Sequence, residues 1–274
     1  ELYKKTKEPR YLEFAKYIIS KGGCADCNLV ELPMQEGLYP YQYPVTKAYE
    51  MMSFYEGLIA YYEATGEKKY LEVADRFIEA VQESDITIIG CAGCTEELFD
   101  HAAVMQTKHS DMVMQETCVT VTWMRILVRM YLLTGDAKYI DRIEKSGYNA
   151  LYGSLNTKQC KHYERWSQKY LEPKCFDSYS PLYMNTRGRW IGGISYFKNG
   201  EYSGCCVAIG ACGISLMPLT AVVTMGEYTY INHQFTGEAC IQDEEGKDVR
   251  LTFASEYPLK GVCNIKIQCG GECS

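Results

Sequence analysis

Two distant stretches of the sequence carry residues that could bind a metal ion together. Glu116 and Cys118 lie two positions apart, and Cys205 and Cys206 are adjacent. Three thiols and one carboxylate form a donor set that tetrahedral Zn²⁺ accepts. Their spacing differs from the common zinc signatures. On spacing alone, the alternative is that the three cysteines are small buried hydrophobic residues, as free cysteines often are.

A repeated turn organises the elements that must position these residues. The segments that begin at Thr6, Thr65 and Thr134 align position for position, each with an acidic residue and then a tyrosine at the same offsets. Apolar residues recur on both sides with the period of a helix. We predict that one helix ends at each turn and that the next begins at the acidic residue, whose charge suits a first helical turn. The repeated helical hairpin is typical of an α/α toroid.

Beyond the repeated hairpins, the sequence predicts long loops, one further helix and several short strands. Loops are predicted over 22–44 and 90–114, and loops on rigid scaffolds commonly build functional sites. The apolar run 207–223 predicts a helix broken by its glycines. Short segments bounded by turn residues, most with alternating polarity, predict strands, at 178–183, 189–193, 228–232, 249–253 and 262–267.

Composition and charge argue against several classes of function. The chain has 274 residues and a net charge of -7, which permits a sizeable core and disfavours a nucleic-acid surface. No apolar run reaches the length of about 18 residues that a transmembrane helix needs. The 14 cysteines show no secretory framework, so we expect reduced thiols, one metal site and a cytoplasmic location.

The order of the motifs resembles glycoside hydrolase family 127, the β-L-arabinofuranosidase-like family once described as domain of unknown function 1680. The resemblance spans roughly residues 43–230 and rests on Ala48-Tyr49-Glu50-Met51-Met52-Ser53, Glu116-x-Cys118, Leu133-Thr134-Gly135-Asp136 with Tyr139 and Glu144, Tyr148-Asn149-Ala150, and Cys205-Cys206. Thr46-Lys47, where many relatives have a histidine, and Val207-Ala208-Ile209-Gly210 depart from the family pattern. These departures leave the sugar specificity open.

The resemblance implies a retaining glycosidase whose cysteine nucleophile is held on Zn²⁺. Glu116, Cys118, Cys205 and Cys206 would be the ligands, and Cys205 would attack the anomeric carbon. Coordination or a helix N-terminus would favour the thiolate that this attack needs. Glu97, in Glu97-Leu98-Phe99, would be the general acid/base. Without the family, its acidic neighbours make a solvated loop an equal alternative.

Several further residues have open roles. The resemblance places Glu144 in the shell that supports the site, although a surface charge on a helix is the alternative. Tyr148, His101 and His109 are candidates for the same shell or for contacts with sugar, and loop histidines with satisfied hydrogen bonds are the alternative for the last two. The C-x-x-C pairs Cys24/Cys27 and Cys91/Cys94 are expected to be incidental thiols, since their separation does not fit a zinc ribbon.

These expectations combine into a mainly α fold, a partial (α/α) toroid of the six-hairpin-glycosidase type followed by the start of a β-sandwich. We predict a toroid catalytic domain over 1–155 that is incomplete at its N-terminus, its remainder over 156–225, and the beginning of the sandwich over 226–274. The expected function is hydrolysis of non-reducing-end β-L-arabinofuranosyl or related plant-polysaccharide sugars. A catalytically impaired or truncated carbohydrate-binding relative and a helical-repeat scaffold with a structural zinc site are the alternatives. We expect a carbohydrate partner, no nucleic acid or membrane, and leave a homodimer open.

Overall fold

Helices dominate the described residues up to position 155. The structure, a computed structural model, describes residues 1–108, 114–155, 162–164, 169–171, 176, 179–180, 195–196, 202–203, 205–243 and 245–269. Its α-helices are α1 Leu2–Thr6, α2 Pro9–Ser20, α3 Ala48–Thr65, α4 Lys68–Ser84, α5 Ala102–Met105, α6 Thr117–Thr134, α7 Ala137–Lys145 and α8 Cys205–Ala221. Short 3₁₀ turns lie at Leu32–Met34 and Pro40–Gln42, and a π-helix over Ser146–Leu151 continues α7.

The predicted turns separate the helices as expected. Gly66 follows α3 and Gly135 follows α6, both in the left-handed conformation with φ of 75° and 70°. Lys7 takes the same conformation after α1, with φ of 60°, although it is not a glycine. The acidic residue of each turn then occupies the N-cap position of the next helix. Only Asp136 caps with its side chain, which accepts a hydrogen bond from the N–H of Lys138 at 2.9 Å.

The helices pack as hairpins through their apolar faces. α3 packs against both α4 and α6, and α7 packs against α6. On α4 the buried apolar residues follow the spacing of one helix face, at Tyr70, Val73, Ala74, Phe77, Ile78 and Val81. Tyr55 of α3 stacks on Phe77 with ring centroids 3.8 Å apart. Since burying one large apolar side chain contributes roughly 1.5–3 kcal/mol, these faces supply much of the stability of the hairpins.

α8 is continuous, so the prediction of a helix broken by its glycines is wrong. A Cβ atom on Gly210 would lie 2.7 Å from the ring of Phe176, and one on Gly213 would lie 2.5 Å from Val121. Both distances are shorter than real Cβ contacts allow. The glycines therefore serve close packing, which offsets their cost of about 1 kcal/mol in helix propensity.

All strands in the described residues pair antiparallel. They are β1 His162–Glu164, β2 Lys169–Leu171, β3 Ser195–Tyr196, β4 Tyr202–Ser203, β5 Val222–Met225, β6 Tyr228–Ile231, β7 Gly237–Gln242, β8 Asp248–Ser255 and β9 Cys263–Cys269. The first six form three hairpins, and β7-β8-β9 form a sheet whose core is Val249, Leu251 and Phe253. The three strands predicted after residue 226 are confirmed. The strands predicted at 178–183 and 189–193 lie outside the described residues, apart from residues 179 and 180.

The chain divides into two compact units, Glu1–Ile214 and Ser215–Ser274. The first contains the helical hairpins, and the second contains β5 to β9. The domain boundaries expected from the sequence stay predictions. Among the helices that the structure describes, none combines the length and the apolar character needed to cross a membrane.

Candidate metal centre and active site

Four side chains at the starts of two helices converge on one point. Glu116 is the N-cap residue of α6 and Cys118 its second residue, while Cys205 and Cys206 begin α8. The ligand atoms of these residues all lie within 4.8 Å of one another. The sulfur of Cys206 is 3.2 Å from that of Cys118, 3.8 Å from that of Cys205 and 3.5 Å from Oε1 of Glu116. The structure therefore brings the four predicted ligands together.

The geometry and the burial of the cluster fit a tetrahedral cation. A Zn–S bond of about 2.3 Å puts two sulfur ligands about 3.8 Å apart, which matches the 3.8 Å between Cys205 and Cys206 and exceeds the 3.2 Å between Cys118 and Cys206. Glu116, Cys118 and Cys206 are buried. Oε2 of Glu116 has no hydrogen-bond partner among the described residues. Because an unpaired buried carboxylate oxygen is costly, a bound cation would satisfy this atom.

Cys205 is the exposed member of the cluster. The neighbouring thiols of Cys118 and Cys206, together with backbone N–H groups at the start of α8, hold the pKa of Cys205 well below its usual range, although burial opposes them. The same contacts raise the pKa of Cys118. A helix N-terminus also favours a thiolate. The thiolate is therefore favoured at Cys205, whose sulfur solvent can reach.

Glu116 is destabilised as an anion when no cation is bound. Burial, followed by the negative charges of Glu97 and Cys205, raises the pKa of Glu116 to about 8. Hydrogen bonds from the thiols of Cys206 and Cys118 act in the opposite direction. A cation at this position would favour the ionised carboxylate. The cluster thus has an excess of acidic groups that a metal ion would neutralise.

Glu97 lies at the centre of a tight turn, and its negative charge acts on Glu116 of the cluster. The N–H of Leu98 donates to the carbonyl of Thr95 at 3.1 Å, so Glu96 and Glu97 are the central residues of a β-turn. Glu96 has a φ of 52°, a conformation that costs energy for a residue other than glycine. The contribution of Glu97 to the raised pKa of Glu116 is the electrostatic link between this turn and the cluster.

Two aspartates fix the shape of the loop that carries Glu97. The fully buried Asp85 accepts hydrogen bonds from the N–H groups of Asp100 and Ala102, each at 3.1 Å. The carboxylate of Asp100 in turn accepts from the N–H groups of Cys94 at 3.3 Å and Thr95 at 3.1 Å. The turn is therefore tied to the end of α4. Sequence reasoning missed Asp85, because a single aspartate at a helix end carries no motif.

Gly93 is a second determinant of this loop that sequence reasoning missed. Its φ of 121° is unfavourable for any side chain, and a Cβ atom would lie 2.6 Å from the carbonyl oxygen of Leu98. Only glycine fits this approach. The neighbourhood of the Glu97 turn therefore depends on the absence of a side chain at this position.

Tyr179 lies beside the cluster and was also missed. Its backbone forms an antiparallel bridge with Glu116. Burial, then the negative charges of Glu116, Glu97, Cys206 and Cys205, raise its pKa. The phenol thus keeps its proton at neutral pH and can donate a hydrogen bond into an anionic site. Nothing local in the sequence distinguishes it from the many other tyrosines.

The remaining predicted residues lie in three places. His101 follows the Glu97 turn and stacks on the ring of Tyr41, with centroids 4.3 Å apart. Glu144 is half-buried on α7, and its charge adds to the burial that raises the pKa of Tyr148. His109 lies outside the described residues. The roles expected for all four stay predictions.

Most of the described cysteines outside the cluster are free thiols. Cys91 and Cys94 are buried, and burial raises the pKa of each to about 12. Cys24 and Cys27 are half-buried and free. Cys269 is disulfide-bonded, so the expectation of reduced thiols is wrong at that position.

Fold and site together define a helical-hairpin domain that presents a largely buried, thiol-rich cluster able to hold a metal ion, close to a carboxylate on a tight turn. The model of the family "Beta-L-arabinofuranosidase, GH127 catalytic domain" matches residues 1–211. The chain therefore belongs to glycoside hydrolase family 127. This confirms the family predicted from the motifs, and the predicted enzyme class, a glycosidase, is the class of that family.

Solved structures of related proteins share the fold. A GH127 β-L-arabinofuranosidase from Geobacillus stearothermophilus T6 is 14% identical with a TM-score of 0.64, over 98% of this chain and 44% of that one. A GH127 β-arabinofuranosidase is 19% identical with a TM-score of 0.65, over 97% and 38%. A structure described as a glycoside hydrolase is 18% identical with a TM-score of 0.66, over 99% and 45%. The chain thus spans less than half the length of each relative.

These likenesses confirm the predicted fold class, mainly helical with an antiparallel sheet towards the C-terminus. At such identities they concern the fold alone. Among curated protein sequences, none matches the chain.

Proposed function

We propose that the domain is a retaining glycoside hydrolase in which Cys205 is the nucleophile and Glu97 the general acid/base. The observation that carries the proposal is the position of Cys205. Its sulfur is the exposed one of the cluster, and its place at the start of α8 beside two neighbouring thiols favours its thiolate. A thiolate is the nucleophilic form of cysteine. A purely structural metal site has no need of an accessible ligand.

The cation that we propose for the cluster is Zn²⁺, held by Glu116, Cys118, Cys205 and Cys206. Three sulfurs and one carboxylate oxygen within 4.8 Å of one another support this choice, as does Oε2 of Glu116, which has no hydrogen-bond partner among the described residues. When bound, zinc would keep the thiols deprotonated at neutral pH. Burial of three ligands would hold the cation away from water, while the fourth faces the substrate.

The chain's own residues can account for both halves of a retaining reaction. The Cys205 sulfur attacks the anomeric carbon while the bond to the leaving oxygen breaks and Glu97 gives that oxygen its proton. A water molecule then attacks the same carbon, Glu97 removes its proton, and the carbon–sulfur bond breaks. Two inversions leave the configuration unchanged. Tyr179, protonated and close to the anionic groups, is suited to donate a hydrogen bond to the sugar or to Glu97.

The proposed substrate class is a non-reducing-end β-L-arabinofuranosyl or related plant-polysaccharide sugar. The description of the matching family supports this choice. Because the chain spans less than half of each structural relative, the activity of the whole protein is part of the proposal. Ten free cysteines among the described residues support the expected cytoplasmic location, whereas the disulfide at Cys269 does not; this location stays a prediction, as does the homodimer.

The test is hydrolysis of a panel of p-nitrophenyl furanosides and pyranosides, with the β-L-arabinofuranoside first, by reduced, zinc-loaded protein. We expect turnover with retained configuration, which Cys205→Ser abolishes. The matched control is Cys212→Ser, an exposed thiol on the same helix. Zinc binding without turnover on any member would overturn the catalytic proposal in favour of a carbohydrate-binding relative or a scaffold with a structural zinc site.

A further inference from the structure

We infer that Lys47 is a positioning residue for Glu97, holding one carboxylate oxygen so that the other faces the leaving group. This inference rests on the proposed function, since it assigns Lys47 to the acid/base step. Lys47 is the N-cap residue of α3, and the sequence marked it only as part of a departure from the family pattern, with no role in the site.

The backbones of the two residues are fixed relative to each other. Lys47 forms an antiparallel bridge with Leu98. The N–H of Ala48 donates to the carbonyl of Glu97 at 2.8 Å, and the N–H of Phe99 donates to the carbonyl of Thr46 at the same distance. The Glu97 turn is therefore attached to the rigid start of α3. A site held by helices and strands is positioned more accurately than one held by a loop alone.

The side chains complete the arrangement. The ammonium of Lys47 makes an ion pair with Oε2 of Glu97. No hydrogen bond or ion pair joins Oε1 to another residue in the part of the chain that the structure describes. The Glu97 side chain is 28% exposed, against 48% for Lys47, so substrate can reach the carboxylate. The bond to Glu97, with the charges of Glu97, Glu50 and Glu116, raises the pKa of Lys47 although burial opposes it, so the ammonium keeps its charge.

This geometry gives the two oxygens of the Glu97 carboxylate different roles. A general acid/base must present one oxygen within hydrogen-bond reach of the atom that gains or loses the proton. A glutamate side chain that rotates freely about its terminal torsion would offer either oxygen at random. The Lys47 ammonium fixes Oε2, which leaves Oε1 for the leaving oxygen and later for water.

The experiment compares Lys47→Met, Lys47→Arg, Glu97→Gln and the double variant Lys47→Met/Glu97→Gln on one glycone with poor and activated leaving groups. General acid catalysis contributes on the order of 10²–10⁴-fold. A mispositioned acid should lose part of this rate enhancement. We therefore expect Lys47→Met to lower kcat by about 10-fold on poor leaving groups and by less than about 3-fold on p-nitrophenyl glycosides. Arginine, which keeps a donor, should restore kcat to within about 3-fold of wild type. The control Lys69→Met removes an exposed ion pair with Glu67 and should change nothing.

The double variant separates the outcomes. If Lys47 acts through Glu97, adding Lys47→Met to Glu97→Gln costs no further activity. A multiplied loss, or an equal loss on all leaving groups with unchanged zinc content, would overturn the inference while the proposed function stands. If Glu97→Gln itself is insensitive to the leaving group, the proposed acid/base role fails, and the role of Lys47 falls with it.

Discussion

Oε1 of Glu116 lies 3.5 Å from the sulfur of Cys206, although 90 positions separate the two residues. They meet because α6 and α8 begin at the same place, Glu116 as the N-cap of one and Cys206 in the first turn of the other. Helix N-termini favour negative charge through their free N–H groups and their dipoles. Because two helix N-termini face one cluster, they lower the free-energy cost of its anionic ligands even without a bound cation.

The first prediction concerns the metal. Cys118→Ala should lower zinc affinity by at least about 100-fold, because it removes one of four ligands and leaves the others ill-placed. A competition titration against a chromophoric chelator measures this, with Cys212→Ala as the control. Unchanged affinity in Cys118→Ala would exclude the proposed ligand set.

The second prediction concerns Tyr179. Tyr179→Phe keeps the ring but removes the donor that lies near Glu116 and Glu97. We expect kcat to fall about 10-fold, the loss of one hydrogen bond in a charged site, while zinc content stays the same. Tyr228→Phe, an exposed tyrosine of β6, is the control. Loss of zinc in Tyr179→Phe would instead indicate that this residue supports the cluster structurally.

Features that depend on neighbours in sequence could be predicted, and they were. The ends of α3 and α6 follow from Thr-Gly turns. The buried face of α4 follows from the helical spacing of its apolar residues. The order of several motifs along the chain, including the glutamate and the three cysteines, identified the family. The C-terminal strands were marked by alternating residues.

Features that depend on contacts across the fold could not be predicted. Tyr179 reaches the cluster through a bridge to Glu116, and no local pattern encodes that bridge. Gly210 looked like a helix breaker, because the ring of Phe176 that requires a glycine there is distant in sequence. Asp85 acts through N–H groups of a later loop, which only tertiary structure brings to it.

The third prediction concerns the loop of Glu97. Gly93→Ala should destabilise the protein by roughly 1–3 kcal/mol, since it forces a side chain into a left-handed conformation and against Leu98, and it should lower kcat by displacing the Glu97 turn. Gly57→Ala is the opposing control: Gly57 lies inside α3, and a Cβ there meets nothing within 4 Å. That variant should gain about 0.4–1 kcal/mol. Urea unfolding of both variants measures the two changes in the free energy of unfolding. Changes of the same sign and similar size would contradict the prediction.

The last prediction concerns the contact between α4 and α7 and its dependence on pH. Arg142 donates two hydrogen bonds to the carboxylate of Glu79, at 2.9 Å and 2.7 Å. Burial alone would raise the pKa of Glu79, but the hydrogen bonds and charges of Arg142 and Lys138 outweigh it and lower the pKa. A carboxyl whose pKa is lowered by folding stabilises the protein above its unfolded pKa and loses that contribution as the pH falls through the folded value.

Arg142→Met should therefore lower the free energy of unfolding by about 0.5–1 kcal/mol at pH 7, a modest figure because Glu79 is partly exposed. Below the folded pKa of Glu79 this part of the difference should vanish, so the variant should show a flatter loss of stability in acid than the wild type. Urea unfolding at several pH values between neutral and strongly acidic measures both curves. Arg76→Met, which breaks an exposed pair with Glu72 on one face of α4, should stay close to wild type throughout. A difference for Arg142→Met that grows as the pH falls would show that the contact between α4 and α7 owes its stability to something other than the ionised Glu79.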